Sequence, residues 1–203
     1  MKKSLNAFVA AASLLAGSHV HAAIIDFSTL GFTEGQSIEG QTIQGATFTS
    51  ENSSLTYTGS FGAGLRTSGG SSWDIQIALS GPASSVSVRA GDGAGDADAF
   101  ALTLLEFGTN NVLGTFSSPV FGGANEPEWY TLTVSGVGAI GTVLFDPGNS
   151  GSLPGTGAGS GGIVMTDFSF NETTAQVPEP GILALLGLGL MGLRLRKTYP
   201  KSA

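Results

Sequence analysis

Apolar side chains recur at every second position in three stretches of the chain, 75–79, 86–90 and 130–134. A period of two residues places one face of a β-strand in a core and the other face in solvent. Apolar runs bounded by Gly, Ser, Asn or Pro predict further strands at Ile24–Phe27, Ala46–Thr49, Leu55–Tyr57, Phe100–Phe107, Val112–Phe116, Gly141–Phe145 and Ile163–Phe170. About ten short strands and no amphipathic helix between them predict an all-β fold of two packed antiparallel sheets, a jelly-roll or immunoglobulin-like sandwich.

Two segments shape the connections in this predicted sandwich. The turn residues 108–111 (Gly-Thr-Asn-Asn) join two apolar runs and predict a β-hairpin. The glycine-rich stretch 146–162 has few side chains for a core and predicts a long loop or crossover. Asp26 and Asp167 fall in the first and last predicted strands, which often lie side by side in sandwiches. The two carboxylates are therefore expected to meet at a sheet edge, either as part of a metal site or as solvated outward-facing groups.

The first 22 residues have the pattern of a secretory signal peptide. Two lysines near the N-terminus precede an apolar stretch, and the small residue Ala22 ends the segment. Cleavage after Ala22 is predicted, which leaves a domain at residues 23–172 and a linker at 173–177.

The C-terminal segment 178–203 combines three features in a fixed order. Pro178, Glu179 and Pro180 form an extended motif, because proline fixes φ and lacks a backbone N–H. An uncharged run follows, and a transmembrane helix is predicted at about 181–195. Arg194, Arg196 and Lys197 then act as a membrane stop and place the C-terminus in the cytoplasm. The thirteen residues 181–193 make a helix of about 20 Å, which is short for a hydrocarbon core of about 30 Å.

This tail resembles the PEP-CTERM sorting signal of Gram-negative bacteria, which is also catalogued as an ice-binding protein C-terminal domain. The resemblance covers about the last 26 residues. It implies recognition of the Pro-Glu-Pro motif by an exosortase, a membrane cysteine peptidase. It also implies an inner-membrane intermediate and then delivery to the cell surface or to an exopolysaccharide matrix.

Removing both terminal segments changes the charge of the protein. The whole chain carries −7, but residues 23–172 contain fourteen carboxylates and only two cations, Arg66 and Arg89, for a formal charge of −12. Nucleic acid is excluded as a partner because its phosphates need a basic patch. The same residues contain no His, Cys or Lys. Ser–His–Asp and Cys–His catalysis, Lys Schiff bases and the usual zinc sites are therefore excluded.

Three features of the domain are candidates for chemistry. Asp92, Asp96 and Asp98 lie on a glycine-rich segment, which predicts either a calcium site with carboxylate ligands or a solvated acidic turn. Trp129 is a candidate carbohydrate platform if Tyr130 faces the core; packing at the rim of the core is the alternative. Glu126 and Glu128 are the candidate acids of a glycosidase, for which the chain lacks long aromatic- and Arg-rich loops that would build a cleft.

The sequence thus predicts an exported, non-enzymatic surface or matrix protein with a structural or adhesive role linked to exopolysaccharide. A calcium-dependent carbohydrate-binding module is the first alternative, and a carboxylate glycosidase is the second. Calcium is the one cofactor considered. Exosortase, the inner membrane and an exopolysaccharide are the expected partners. Isolated Thr-x-Thr pairs such as 56–58 and 131–133 do not form the repeating array expected of an ice-binding surface.

Overall fold

The computed structural model describes residues 21–60, 62–67, 73–92, 98–122, 128–148 and 163–173, all of which belong to one compact unit, His19–Thr174. Apart from a short 3₁₀ turn at Phe27–Thr29, the regular elements of these residues are ten antiparallel strands. They are β1 (His21–Asp26), β2 (Gln41–Ile43), β3 (Ala46–Ser50), β4 (Thr56–Thr58), β5 (Gly64–Arg66), β6 (Ile75–Asp92), β7 (Ala101–Glu106), β8 (Val112–Ser117), β9 (Glu128–Asp146) and β10 (Val164–Glu172).

The predicted all-β antiparallel fold is confirmed, and the 108–111 turn joins β7 and β8 as a hairpin. The sequence was wrong in breaking β6 and β9 into two strands each. β6 runs on through Ser80, Gly81 and Pro82 and β9 through Gly136 and Gly138, and register shifts between Ala78 and Ser85 let the pairing continue across a bend. Bulges of this kind allow one strand to pass from one sheet to another.

The bends in β6 and β9 divide the sheet into two halves. Half-sheet A contains β1, β4, β5, β10 and residues 83–92 and 128–135 of the two long strands. Half-sheet B contains β2, β3, β7, β8 and residues 75–79 and 140–146 of the long strands.

The core lies between the two half-sheets. Phe48 of β3 meets Phe168 of β10 edge to face with ring centroids 6.0 Å apart, so side chains from the two halves are in direct contact. Phe100 packs on Phe145 at 5.5 Å, and Phe27 on Phe48 at 5.4 Å. These rings are fully buried. Burial of aromatic and aliphatic side chains is the main stabilising contribution in a domain without disulfides.

The predicted transmembrane helix at about 181–195 lies outside the described residues. Among the residues that the structure does describe, no helix is long and apolar enough to cross a membrane.

Candidate functional site

Alternation along β9 places Trp129 on the outer face of half-sheet A. Its neighbour Tyr130 points into the core, where its ring stacks on Phe121 with centroids 5.8 Å apart and meets Phe100 at 6.4 Å. Successive side chains of a strand point to opposite faces. Trp129 therefore faces outward, and its side chain remains partly exposed. This is the orientation that a ligand platform requires.

Two glycines make room for the indole ring of Trp129. Gly91 is its pairing partner on β6, and the inner edge of the ring lies over that residue. The far edge of the ring reaches Gly62, which has a φ of +114°. A methyl group on either glycine would overlap the ring. Part of the indole is therefore covered and part is exposed, so Trp129 combines an outward orientation with packing against the backbone at the edge of the half-sheet.

Arg89 lies next to this ring on the same outer face. Its guanidinium carbon is 5.4 Å from the centre of the Trp129 ring, a cation–π distance. The Arg89 side chain also donates to the Asp167 carboxylate at 3.4 Å, and both side chains are partly exposed. The hydroxyl of Thr166 donates to the same carboxylate at 2.8 Å. These contacts hold the guanidinium beside the indole while leaving part of it accessible.

Sequence reasoning did not select Arg89 for this site, although two signals point to it. Arg89 alternates with Val88 and Ala90, which are buried, so it had to face outward. It is also one of only two cations in residues 23–172. Arg66, the other one, lies on β5 beside buried Leu65 and is exposed on the outer side of the same half-sheet.

Small polar side chains cover the rest of this outer face. Ser87 and Thr133 share a hydrogen bond of 2.9 Å across β6 and β9. The Asn171 amide donates to the Ser85 hydroxyl at 2.9 Å across β10 and β6. Hydroxyl and amide groups beside an indole and an arginine are the groups that bind sugar hydroxyls and pack on sugar rings. We call the outer face formed by Trp129, Arg89, Asp167, Ser87 and Thr133 the tryptophan face.

The loop that reaches Trp129 is held from its other side by Glu34. The backbone N–H of Gly59 donates to the Glu34 carboxylate at 2.5 Å, and the Thr58 hydroxyl lies 3.5 Å from it. The hydrogen bond from Gly59 lowers the pKa of Glu34 below its ordinary value, and the positive charge of Arg66 contributes in the same direction. Glu34 thus anchors the segment that leads to Gly62.

Asp26 and Asp167 are direct pairing partners at the edge strand β1, so the expected meeting of first and last strands is confirmed. Each carboxylate already has protein partners. Asp26 accepts from the backbone N–H and the hydroxyl of Ser28 at 2.9 and 2.6 Å, and Asp167 accepts from Arg89. These hydrogen bonds favour a structural role for the pair over metal binding.

The acidic segment predicted to bind calcium is described only in part. Asp98 is buried, and its backbone exchanges hydrogen bonds of 2.7 and 2.8 Å with Phe121. The backbone of Asp92 pairs with Glu128, directly beside the Gly91–Trp129 pair. Asp96 and the side chain of Asp92 lie outside the described residues. Within the described part of the chain, no three acidic side chains are grouped closely enough to hold a metal.

Of the two glutamates considered for glycosidase chemistry, only Glu128 is described. Its carboxylate accepts a hydrogen bond from the backbone N–H of Gly122 at 2.6 Å. This contact ties the start of β9 to the segment after β8. Glu126 lies outside the described residues.

The first and last strands of the described residues, β1 and β10, pair at one edge of half-sheet A. In the antiparallel pairing of β1 with β10, His21 lies opposite Glu172 and Ala22 opposite Asn171. The predicted signal cleavage after Ala22 would leave β1 beginning at Ala23. The sorting residues Pro178, Glu179 and Pro180, and the membrane-stop residues Arg194, Arg196 and Lys197, lie outside the described residues. Val164 and Trp129 are at the opposite end of the half-sheet, about 27 Å along β10 from Glu172.

Comparison with known proteins identifies the C-terminal segment. Residues 176–197 match the model of the PEP-CTERM protein-sorting motif, so the resemblance noted in the sequence is confirmed. The motif marks an exported, sorted protein. None of the curated proteins matches the chain in sequence.

Solved structures with a similar course of the chain are distant in sequence. A mutant of the family 29 carbohydrate-binding module CBM29-2 is 12% identical, with 83% of this chain and 99% of that chain covered and a TM-score of 0.41. A cleaved adhesin domain of Lys-gingipain is 17% identical, with 74% and 99% covered and a TM-score of 0.38. A carbohydrate-binding module of Cellvibrio mixtus lichenase 5A in complex with cellotriose is 17% identical, with 68% and 95% covered and a TM-score of 0.33. At these TM-scores no functional conclusion is drawn from the likeness.

Proposed function

We propose that this chain is an exported, non-catalytic protein of the cell surface or of an extracellular polysaccharide matrix, where its β-domain has a structural or adhesive role. The observation that carries the proposal is the PEP-CTERM motif at residues 176–197, directly after an all-β domain. An exosortase at the inner membrane recognises Pro178, Glu179 and Pro180 and processes the tail, and the domain is then released to the surface or matrix.

The composition of the domain supports a role without catalysis. Residues 23–172 contain no His, Cys or Lys, so the groups that most enzymes use as nucleophiles or general bases near neutral pH are missing. The remaining acids include Glu128, which is engaged with the backbone of Gly122. A negative charge of −12 also keeps the domain soluble in a crowded extracellular layer.

The tryptophan face is the surface by which we propose that the domain adheres to a neutral polysaccharide. An indole edge and the Arg89 guanidinium supply flat contact area, and paired hydroxyls such as Ser87 and Thr133 supply hydrogen bonds. An anionic polymer would be repelled by the net charge of the domain, whereas a neutral one would not.

Binding is tested with residues 23–173, which contain every buried core side chain of the described part. We expect the wild type to be retarded by neutral polysaccharides in affinity electrophoresis and Trp129→Ala to lose about tenfold or more in affinity. Trp73→Ala, at the only other tryptophan, is the matched control and keeps the affinity. Equal binding by Trp129→Ala and the wild type would disprove adhesion through the tryptophan face.

Sorting is tested separately with the full chain in a bacterium that has an exosortase. Replacing Pro178, Glu179 and Pro180 by alanine is expected to leave the protein in the inner membrane at its unprocessed size. Thr198→Ala, beyond the basic cluster, is processed as the wild type is. Normal processing of the triple variant would show that the motif does not direct this protein.

One structural observation favours a second candidate, a calcium-dependent carbohydrate-binding module. The pairing of Asp92 with Glu128 brings the start of the acidic segment next to Trp129, and its last member, Asp98, is buried. Asp92, Asp96 and Asp98 are the carboxylates that would bind the calcium ion. Titration calorimetry with calcium on residues 23–173 should give heat that Asp96→Asn abolishes. No heat at millimolar calcium would end this candidate.

A further inference from the structure

The tryptophan face continues along the strands away from Trp129. Outward-facing positions of β6, β10 and β9 pair at three successive levels, each two residues further along the strands. The levels are Arg89 with Asp167 and Thr131, Ser87 with Ser169 and Thr133, and Ser85 with Asn171 and Ser135. We call these nine residues the polar track. From Trp129 to Ser135 the path is about 20 Å long, because each residue of a strand rises about 3.4 Å.

The polar track is accessible, and most of it carries no charge. Each of its side chains is exposed or half-buried, whereas the positions between them on β6, such as Val86 and Val88, are buried in the core. Beyond the first level the side chains are Ser, Thr or Asn. A neutral ligand can therefore cover the second and third levels without removing a carboxylate from water.

The hydroxyls of the polar track keep both donors and acceptors for a ligand. Ser87 and Thr133 share one hydrogen bond of 2.9 Å, and the Asn171 amide donates to Ser85 at 2.9 Å. A hydroxyl has one donor and two acceptor lone pairs, so two hydroxyls joined by one bond retain one O–H and three lone pairs. An anion would use only the donors, and an apolar ligand would use neither. Sugar hydroxyls, which both donate and accept, match this set of groups.

We infer that a linear neutral glycan lies lengthwise on the polar track, with one sugar ring against Trp129 and the following units over the three levels. This inference rests on the proposed function and extends the tryptophan face into a site for several sugar units. Equivalent polar groups recur over about 20 Å, whereas a single sugar ring is comparable in size with the indole and covers only part of that length. The ligand is therefore an internal segment of a chain rather than one terminal sugar.

The direction of the chain follows from what flanks the polar track on β1. At the first level the strand pairing leads from Asp167 to a second carboxylate, Asp26. At the second level it leads from Ser169 to Ile24, an aliphatic side chain that is 69% exposed. A glycan crossing the strands would leave the hydroxyl groups within two strands. A glycan parallel to β6 and β9 stays on them through the third level.

The first test is the dependence of affinity on ligand length, measured by titration calorimetry on residues 23–173. The probes are linear β-1,4-linked oligomers of glucose, mannose and xylose, from disaccharide to hexasaccharide. For at least one of these sugars we expect the affinity to rise about tenfold or more between disaccharide and hexasaccharide. Reduction of the terminal sugar to its alditol should leave the affinity of the hexasaccharide unchanged, because internal units make the contacts.

The second test removes one hydroxyl pair from the middle of the polar track. The double variant Ser87→Ala, Thr133→Ala is expected to weaken hexasaccharide binding by about threefold to tenfold and to leave disaccharide binding at Trp129 unchanged. The matched control is Thr103→Ala, Thr115→Ala. It removes a hydroxyl pair of the same separation, 2.9 Å, from half-sheet B and keeps the wild-type affinity for every length.

The outcomes separate this inference from the proposed function. Equal affinity for all lengths, with loss of binding in Trp129→Ala, would overturn the polar track and leave adhesion through the tryptophan face intact. Equal weakening by the control double variant would overturn the track as well. Binding of none of the oligomers, nor of any neutral polysaccharide, would overturn both the track and the proposed adhesion.

Discussion

Gly62 lies directly against the far edge of the Trp129 indole, although 66 residues separate the two in the chain. The contact connects the loop after β4 with the start of β9. It depends on the absence of a side chain at position 62 and on a φ of +114° there. The indole therefore serves both as part of the outer surface and as the anchor of this loop.

Gly62→Ala is expected to destabilise the domain through two effects. Alanine at a positive φ costs about 1–2 kcal/mol, and overlap of its methyl group with Trp129 adds about 1 kcal/mol or more. Gly108→Ala is the control, since its φ is +80° and no atom lies within 4 Å of the added methyl. Urea unfolding should show the larger loss for Gly62→Ala. The additional loss of stability in Gly62→Ala over Gly108→Ala should disappear when Trp129 is also replaced by alanine. If it persists in that double variant, overlap with the indole is not the cause of the loss.

The stability of the segment Thr58–Ser60 is expected to depend on pH through Glu34. The hydrogen bond from Gly59 lowers the pKa of Glu34 in the folded protein. A lowered folded pKa contributes stability above the unfolded pKa, and this stability is lost as pH falls through the folded value. The melting temperature of the wild type should therefore exceed that of Glu34→Gln at neutral pH, and the difference should vanish in acid. A carbon-13 NMR titration of Glu34 that shows no lowered pKa would contradict this prediction.

Glu106, at the β7–β8 turn, is a second glutamate whose pKa is lowered by hydrogen bonds, so it should also make stability depend on pH. The Thr109 hydroxyl donates to its carboxylate at 2.6 Å and the Asn111 amide at 3.2 Å, and these bonds lower its pKa. The melting temperature of Glu106→Gln should be below that of the wild type at neutral pH, and the difference should vanish as the pH falls. Thr109→Ala should raise the pKa of Glu106 toward its ordinary value in the same NMR titration, whereas an unchanged pKa would exclude Thr109 as the main cause.

Glu39 is expected to stabilise the turn between β3 and β4. Its carboxylate accepts from the backbone N–H and hydroxyl of Ser50 at 3.1 and 2.7 Å and from the N–H of Leu55 at 3.3 Å. Glu39→Ala leaves these part-buried donors without their acceptor and should cost about 1–3 kcal/mol in urea unfolding. Glu39→Gln keeps one acceptor oxygen and should cost less. Equal losses of stability in Glu39→Ala and Glu39→Gln would contradict the idea that the acceptor oxygens of Glu39 stabilise this turn.

Replacement of Phe100 by alanine is expected to destabilise the domain strongly, because its ring contacts three other aromatic rings of the described core. It is fully buried and touches the rings of Phe121, Tyr130 and Phe145. Phe100→Ala should lower the free energy of unfolding by about 3–5 kcal/mol. Phe107→Ala, at a ring 41% exposed, should lower it far less. Similar losses from the two variants would contradict the packing described for Phe100.

Local patterns predicted the strands wherever an apolar period of two extended over several residues. They did not predict β2 and β5, because each of these three-residue strands contains only one large apolar side chain. They also divided β6 at Ser80, Gly81 and Pro82, where the local signal is for a turn. Pairing with β9 continues beyond this point, because the register shifts take up the extra residues. A local sequence pattern indicates only the structure that a segment favours by itself. Here the hydrogen bonds with the neighbouring strand β9 override the local preference for a turn.

The candidate site was predictable in part. Alternation with Tyr130 was enough to predict that Trp129 faces outward, whereas Arg89 was not selected although it is one of only two cations in residues 23–172. The contacts that shape the site, from Gly62, Asp167 and Thr166, come from distant segments. Their positions depend on strand order, and strand order cannot be read from the spacing of residues along one strand.

The sequence by itself determined that this protein is exported and sorted, and which ionisable groups its domain contains. Its sorting motif is a linear signal read by other proteins, and composition alone fixes an acidic domain without His, Cys or Lys. The tertiary structure decided which side chains meet. The bends of β6 and β9 create two half-sheets, and the outer face of half-sheet A carries Trp129 beside Arg89. Surfaces of this kind arise from cross-strand register, which assembles residues that are far apart in the chain.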